Sequence, residues 1–260
     1  MKAAGIRKFG GAQILPWITF LAIAAVWCVL SYGGLVGPLF VPSPSAVFDK
    51  ITSGIRDGSL LQNCWASTRR VMVGWFFSAL VALPCGMLMA GSKRFTSLIQ
   101  PVIEFVRYLP VVALVPLTIL YLGIGETQKY MVIWLGTFFQ LVLMVCDTVS
   151  SVDKNYLNAA KTLGAGKWQV YKEVIFPASL PGLLDDFRLT IGWAWTYLVV
   201  AEMVAASEGL GYIILKSQRF LATDVIFMGL LMIGLIGLAT DFLLRLLTKI
   251  LVPWYKRLSD

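Results

Sequence analysis

Histidine is absent from the 260 residues. That removes the commonest metal ligand and the commonest general base. Cysteine is scarce. The four present, Cys28, Cys64, Cys85 and Cys146, show no C-x-x-C spacing. Three of them fall inside apolar runs and read as small core hydrophobes, not as disulfide partners or metal ligands. Charge is scarce too: charged residues make up 14% of the chain, against roughly 25% in a soluble domain. A phosphate-binding loop of the form G-x-x-x-x-G-K-[ST] is missing. At Gly166-Lys167 its first glycine would fall at Lys161, and the residue after the lysine is Trp168. Binding of ATP by that motif is therefore excluded. No metal-ligand spacing and no clustered set of catalytic groups is evident in the sequence.

Apolar sequence is abundant. Hydrophobic residues make up 58% of the chain, and runs of about 18 or more recur, each long enough to cross the hydrocarbon of a bilayer. The runs do not alternate apolar with polar, which excludes a lipid-facing β-barrel. The reading is an all-α membrane protein with six spans, at roughly 14–36, 68–90, 102–122, 129–147, 183–206 and 225–247, in a single domain over 1–260. The apolar run from Ile14 follows Lys2, Arg7 and Lys8. It is long for a signal peptide and no small-residue cleavage site follows, so it reads as an uncleaved first span.

The net charge of +8 raises nucleic-acid binding. The Lys and Arg residues sit between the spans, as the positive-inside rule expects, and that reading is preferred. With the N-terminus in the cytoplasm, basic residues on that side outnumber those outside by about two to one. Lys256 and Arg257 then place the C-terminus inside as well, and residues 148–182 become cytoplasmic.

That cytoplasmic segment contains NAAKTLGAGKWQVYKEVIFP (158–177). Asp153 suits a helix N-cap, Tyr156, Ala160 and Leu163 recur at helical spacing, and Gly164 suits a C-terminal cap. A second short helix follows Gly166, with Trp168, Tyr171 and Val174 on one face and Lys167 and Lys172 off it. Pro177 is expected to end it, because the residue before proline disfavours helix. Physics alone leaves two readings: an amphipathic helix resting on anionic lipid, or a docking site for a soluble partner.

The segment resembles the cytoplasmic loop of ABC importer permeases, whose pattern is Glu-Ala-Ala, three residues, Gly, nine residues, then Ile-x-Leu-Pro. Here Asn158-Ala159-Ala160, Gly164 and Val174-Ile175-Phe176-Pro177 keep that spacing, with Asn158 in place of the glutamate. EFVRYLPVVALVPLTILYLGIGETQK (104–129), LTIGWAWTYLVVAEMVAASEGLGYII (189–214) and FLATDVI (220–226) are similar to the nitrate/sulfonate/taurine/bicarbonate permeases.

The resemblance implies the type I ABC importer permease fold in the bacterial inner membrane. It implies a second copy of the permease, two ATP-binding subunits beneath it, and a periplasmic or lipid-anchored substrate-binding protein. ATP and magnesium would be bound by the partner ATPase, with no cofactor in this chain. Transport would proceed by alternating access. By the same resemblance Asn158, Ala159, Ala160, Leu163, Gly164, Lys167 and Pro177, within 153–177, would form the ATPase-coupling contact. Taurine or another sulfonate is the first substrate expected, then nitrate or bicarbonate.

Ionisable and helix-breaking residues inside apolar runs supply pathway candidates. Glu202 lies in the fifth span, as a gate or as a structural ion pair. Glu104 and Arg107, three apart, are expected to pair. Pro110 and Pro116 free backbone groups and let the third span bend. Arg69 and Arg70 are expected to snorkel to the interface, with attraction of an anion as the sharper alternative. Trp193 and Tyr197 line the pathway or pack as interface anchors. Two other function classes stand beside the importer reading. A stand-alone secondary transporter or channel would need no docking loop and would show inverted repeats, of which none is evident. A membrane-embedded enzyme would need the catalytic groups already found wanting.

Overall fold

The computed structural model of the chain describes residues 15–204 and 206–254. The expected start of the first span at Ile14, the basic residues Lys2, Arg7, Lys8, Lys256 and Arg257, and one position near the end of the fifth span lie outside the described residues. Every regular element among the described residues is helical. In chain order these are α1 (Leu15–Tyr32), α2 (Pro44–Arg56), α3 (Ser59–Gly91), α4 (Lys93–Val106), α5 (Val111–Leu122) and α6 (Glu126–Ser150). There follow α7 (Lys154–Thr162), α8 (Lys167–Gln169), a π-helical turn (Val170–Ile175), α9 (Phe176–Met203), α10 (Leu210–Arg219) and α11 (Thr223–Leu251).

The chain divides into two compact units. The smaller comprises Met1–Leu61 with Ile213–Leu230, as far as these are described. In it the Trp27 indole N–H donates to the Pro42 carbonyl at 2.9 Å, and the Trp27 and Phe227 rings lie 5.9 Å apart. Lys50 Nζ meets Asp224 Oδ2 at 3.6 Å. Ser43 caps α2 by accepting the Ala46 N–H, with Pro44 in the first turn, where its missing N–H costs nothing.

The larger unit comprises Gln62–Tyr212 and Leu231–Asp260, as far as described. Its core is apolar: Leu141, Val142 and Val145 of α6 and Ala194 and Leu198 of α9 are fully buried. Polar side chains tie the helices where hydrocarbon offers no other partner. Trp75 of α3 donates to Thr190 Oγ1 at 3.1 Å. Thr148 of α6 donates to Asp186 at 2.7 Å, and Trp195 of α9 donates to Thr240 of α11 at 3.2 Å.

Several expected boundaries move. The second span lies inside α3, which begins well before residue 68. The first ends at Tyr32 instead of 36. The third is not one helix: α4 and α5 are bent by 100° at the break before Pro110. Proline lacks the donor and disfavours helix in the residue before it, so the ladder ends there. By length and hydropathy, α3, α6 and α11 among the described residues can cross a membrane, and the α4–α5 pair, bent by 100°, is either a fourth, broken span or a re-entrant loop. At the expected fifth span, α9 carries Asp185, Asp186, Arg188 and Glu202, which interrupt its apolar surface.

Candidate functional site

Three features of the larger unit bear on function. The first is the segment around residues 153–177. Asp153 caps α7, accepting the Asn155 N–H at 2.8 Å. Gly164 takes φ +81°, a left-handed conformation that glycine adopts without strain. Gly166 starts α8, its N–H donating to Gln169 Oε1 at 2.9 Å. The expected stop at Pro177 does not occur. The π turn runs directly into α9, and Pro177 lies in the first turn of α9. The Phe176 N–H reaches back five residues to the Tyr171 carbonyl, so the hydrogen-bond ladder shifts register just before proline's missing donor. That shift lets the chain stay helical through Pro177.

The Tyr171 hydroxyl donates to the Met87 carbonyl of α3, anchoring the segment, and burial pushes that hydroxyl's pKa up. Asn158, Ala159, Lys167 and Gly164 are exposed, while Ala160 and Pro177 are half-buried. Leu163 is 87% and Trp168 75% exposed. Tyr156, Ala159, Ala160, Leu163, Val174 and Pro177 line a groove of about 470 Å³. The structure thus brings together Ala159, Ala160, Leu163 and Pro177, whereas Lys167 lies at a different hollow, between α7 and the end of α3.

The second feature is a cavity of about 360 Å³ at the α4–α5 break, walled by α6 and α9. Arg107, Trp193 and Tyr197 line it, as do Phe139, Gln140 and Thr196, which sequence reasoning missed. No periodicity singles out one glutamine or threonine, so only their meeting at a break in the helix reveals them. Gly136 makes room for Tyr197: a Cβ there would overlap its ring. Arg107 does not pair with Glu104. Its guanidinium donates to the Tyr108 hydroxyl at 3.0 Å and lies 4.9 Å from that ring's centroid. Glu104 accepts from Gln100 at 2.7 Å. A spacing of three allows the Glu104–Arg107 pair, and Arg107 keeps helical geometry with its N–H on the Ile103 carbonyl, but each side chain takes a different partner. Pro110 caps α5 beside the cavity, and Glu202 is elsewhere.

The third feature is where Glu202 resides: a buried ionic network. Arg70 is 1% exposed, not snorkelling. Its Nε and Nη2 donate to the two Glu126 oxygens at 2.9 and 2.6 Å. Its Nη1 donates to Glu202 Oε1 at 2.8 Å and to the Glu208 carbonyl at 2.7 Å. Glu202 also accepts from the Ser67 hydroxyl at 2.8 Å and the Gly211 N–H at 2.8 Å. Lys129 and Arg69 reach Glu126 at 2.9 and 3.3 Å. Glu208 stands 3.6 Å from Arg70, so three cations face three carboxylates. Glu202 is thus held in an ion pair with Arg70. It ties the segment before α10 to α3 and α6.

Among the described residues no group of three or more Cys, Asp or Glu is arranged to hold a metal ion. The profile of the family described as "Binding-protein-dependent transport system inner membrane component" matches residues 82–257. The taurine transport system permease protein TauC of Escherichia coli (strain K12) is 35% identical over 242 residues, covering 91% of this chain and 88% of that protein. The putative aliphatic sulfonates transport permease protein SsuC of Bacillus subtilis (strain 168) is 32% identical over 256 residues, covering 97% and 93%. The nitrate import permease protein NrtB of Synechocystis sp. (strain ATCC 27184 / PCC 6803 / Kazusa) is 26% identical over 249 residues, covering 92% and 90%. Among solved structures, an inward-facing form of the MetNI methionine ABC transporter superposes with a TM-score of 0.62. At 20% identity, over 73% of this chain and 96% of that one, it supports the fold alone.

Proposed function

The chain belongs to the family of binding-protein-dependent transport system inner membrane components, and from that premise we propose that it is the permease subunit of an ATP-driven importer for a small oxyanion of the taurine, sulfonate or nitrate type. The family supplies the membrane-embedded, non-catalytic component of ABC importers. Hydrolysis of ATP, with its magnesium, falls to partner subunits. The chain acts in the inner membrane beside a second copy of itself, beneath a substrate-binding protein, with both termini in the cytoplasm.

The observation that carries this reading is the segment 153–177. It keeps the family spacing at Ala159, Ala160, Gly164 and Pro177, and it presents bare apolar side chains. Large exposed apolar surface of that kind marks a docking site. In the proposed mechanism α7 seats in an ATPase cleft. Closure of the ATPase pair on nucleotide then moves α7, and the π turn passes that motion straight into α9 because helix runs unbroken through Pro177. α9 carries Trp193, Thr196 and Tyr197, so the motion arrives at the cavity. ATP binding and hydrolysis thereby bias two states of one assembly.

The test is co-purification. The wild-type chain, co-expressed with its ATP-binding subunit, is expected to elute as one complex. Leu163→Asp and Gly164→Val should each lower the retained ATPase and the uptake together. Uptake that persists without any associated ATPase would overturn the importer reading in favour of the stand-alone transporter.

A further inference from the structure

Resting on the permease reading, we propose that the cavity at the α4–α5 break is a substrate-binding station inside the membrane, selective for small organic oxyanions with a short apolar body. The chain would then discriminate among substrates itself, in addition to any selection by a binding protein.

The cavity is lined by one cation, the exposed Arg107. Among the described residues no carboxylate lies within 4.0 Å of its guanidinium. Its contacts are the hydroxyl and ring face of Tyr108, both neutral. The guanidinium therefore keeps N–H donors free for a visiting anion. Its planar fork matches the geometry of an oxyanion bidentately.

The walls supply the rest of the chemistry. Thr196 of α9 and Gln140 of α6 add neutral donors on the cavity surface. Phe139, Trp193 and Tyr197 add apolar and aromatic area. The volume is of the size that holds small ligands in proteins generally, roughly 300–1,000 Å³. A cation with two neutral donors fits one oxyanion group. Three aromatic rings fit a short carbon chain and give no advantage to a purely inorganic anion.

The test is equilibrium binding to the full chain, purified with its ATP-binding subunit in nanodiscs and without any binding protein. The probes are ethanesulfonate, nitrate and the neutral propan-1-ol. Ethanesulfonate should bind most tightly. Arg107→Gln should weaken it by about tenfold to a hundredfold, as loss of a charge-assisted hydrogen-bonded contact does. Arg107→Lys should fall between, since it keeps charge and loses the fork. Thr196→Val and Gln140→Met should each cost a smaller factor, which keeps the proposal falsifiable should Arg107→Gln assemble poorly.

Wild-type affinity in Arg107→Gln, or absence of ethanesulfonate binding in the wild type, overturns the station. Equal binding of nitrate and ethanesulfonate overturns the role given to the aromatic wall, and equal binding of propan-1-ol overturns the role given to charge. Failure of the permease reading shows separately, as failure of the wild-type chain to co-purify with the ATPase.

Discussion

Arg70→Met should destabilise the protein by about 3–5 kcal/mol, the range for breaking a buried ion pair on one side only. The figure follows from what is left behind. Arg70 donates four hydrogen bonds, two to Glu126, one to Glu202 and one to the Glu208 carbonyl. Glu126 keeps Lys129 and Arg69 and is partly exposed, so it tolerates the loss. Glu202 is 1% exposed and keeps only the Ser67 hydroxyl and the Gly211 N–H. A full negative charge is stranded there. The double variant Arg70→Met/Glu202→Gln removes that charge, while an amide oxygen can still accept from Ser67 or Gly211. It should therefore be more stable than Arg70→Met alone, with a coupling energy of about 1–3 kcal/mol in the cycle. Reversible unfolding by SDS titration in mixed micelles measures each variant. Limited proteolysis should show earlier cutting near residues 204–209, because the network tethers that segment. The reasoning fails if Arg70→Met lies within about 1 kcal/mol of wild type, or if the double variant is as unstable as the sum of its parts.

Further expectations concern the cavity and the coupling segment. Gly136→Ala should displace the Tyr197 ring, which a Cβ would overlap. Overpacking of this kind costs about 1–3 kcal/mol, and ethanesulfonate binding should change even where the complex still assembles. Leu163→Asp, at an exposed position, should shift stability by no more than about 0.5 kcal/mol while lowering ATPase co-purification; a large loss of stability would refute the solvent-facing placement of Leu163. Tyr171→Phe removes the bond to the Met87 carbonyl and should cost about 1 kcal/mol, read as a lower thermal midpoint. Asp241→Asn weakens the Arg188 and Arg245 contacts at 2.9 and 2.7 Å. Arg188 retains Asp185 at 3.0 Å, so the loss should stay near about 1 kcal/mol in the same thermal measurement.

The local structure of residues 153–177 was legible because its signals are local. A cap, a left-handed glycine and an apolar face each depend on a few neighbouring residues. Asp153 and Gly164 behave as those rules require. Pro177 did not. Whether a proline stops a helix depends on the register of the bonds before it, and the π turn supplied a register that a linear reading does not anticipate. The expected Glu104–Arg107 pair failed for a different reason. Helical spacing only permits a contact, and here Tyr108 takes the Arg107 guanidinium while Gln100 takes Glu104.

The sequence by itself determined that the chain is helical and membrane-embedded, that it lacks the phosphate-loop motif, and that a capped, glycine-punctuated turn of short helices lies within residues 153–177. Long apolar runs, missing residue types and short-range turn chemistry suffice for each. Only the tertiary structure decided which polar residues meet. Arg70 draws on partners 56 and 132 positions away, and Gln140 joins Arg107 and Thr196 only because α4 breaks where α6 and α9 converge. In a medium without water, each buried charge must find a partner or a cavity. Which one it finds depends on helices distant in sequence, so the answer lies in packing.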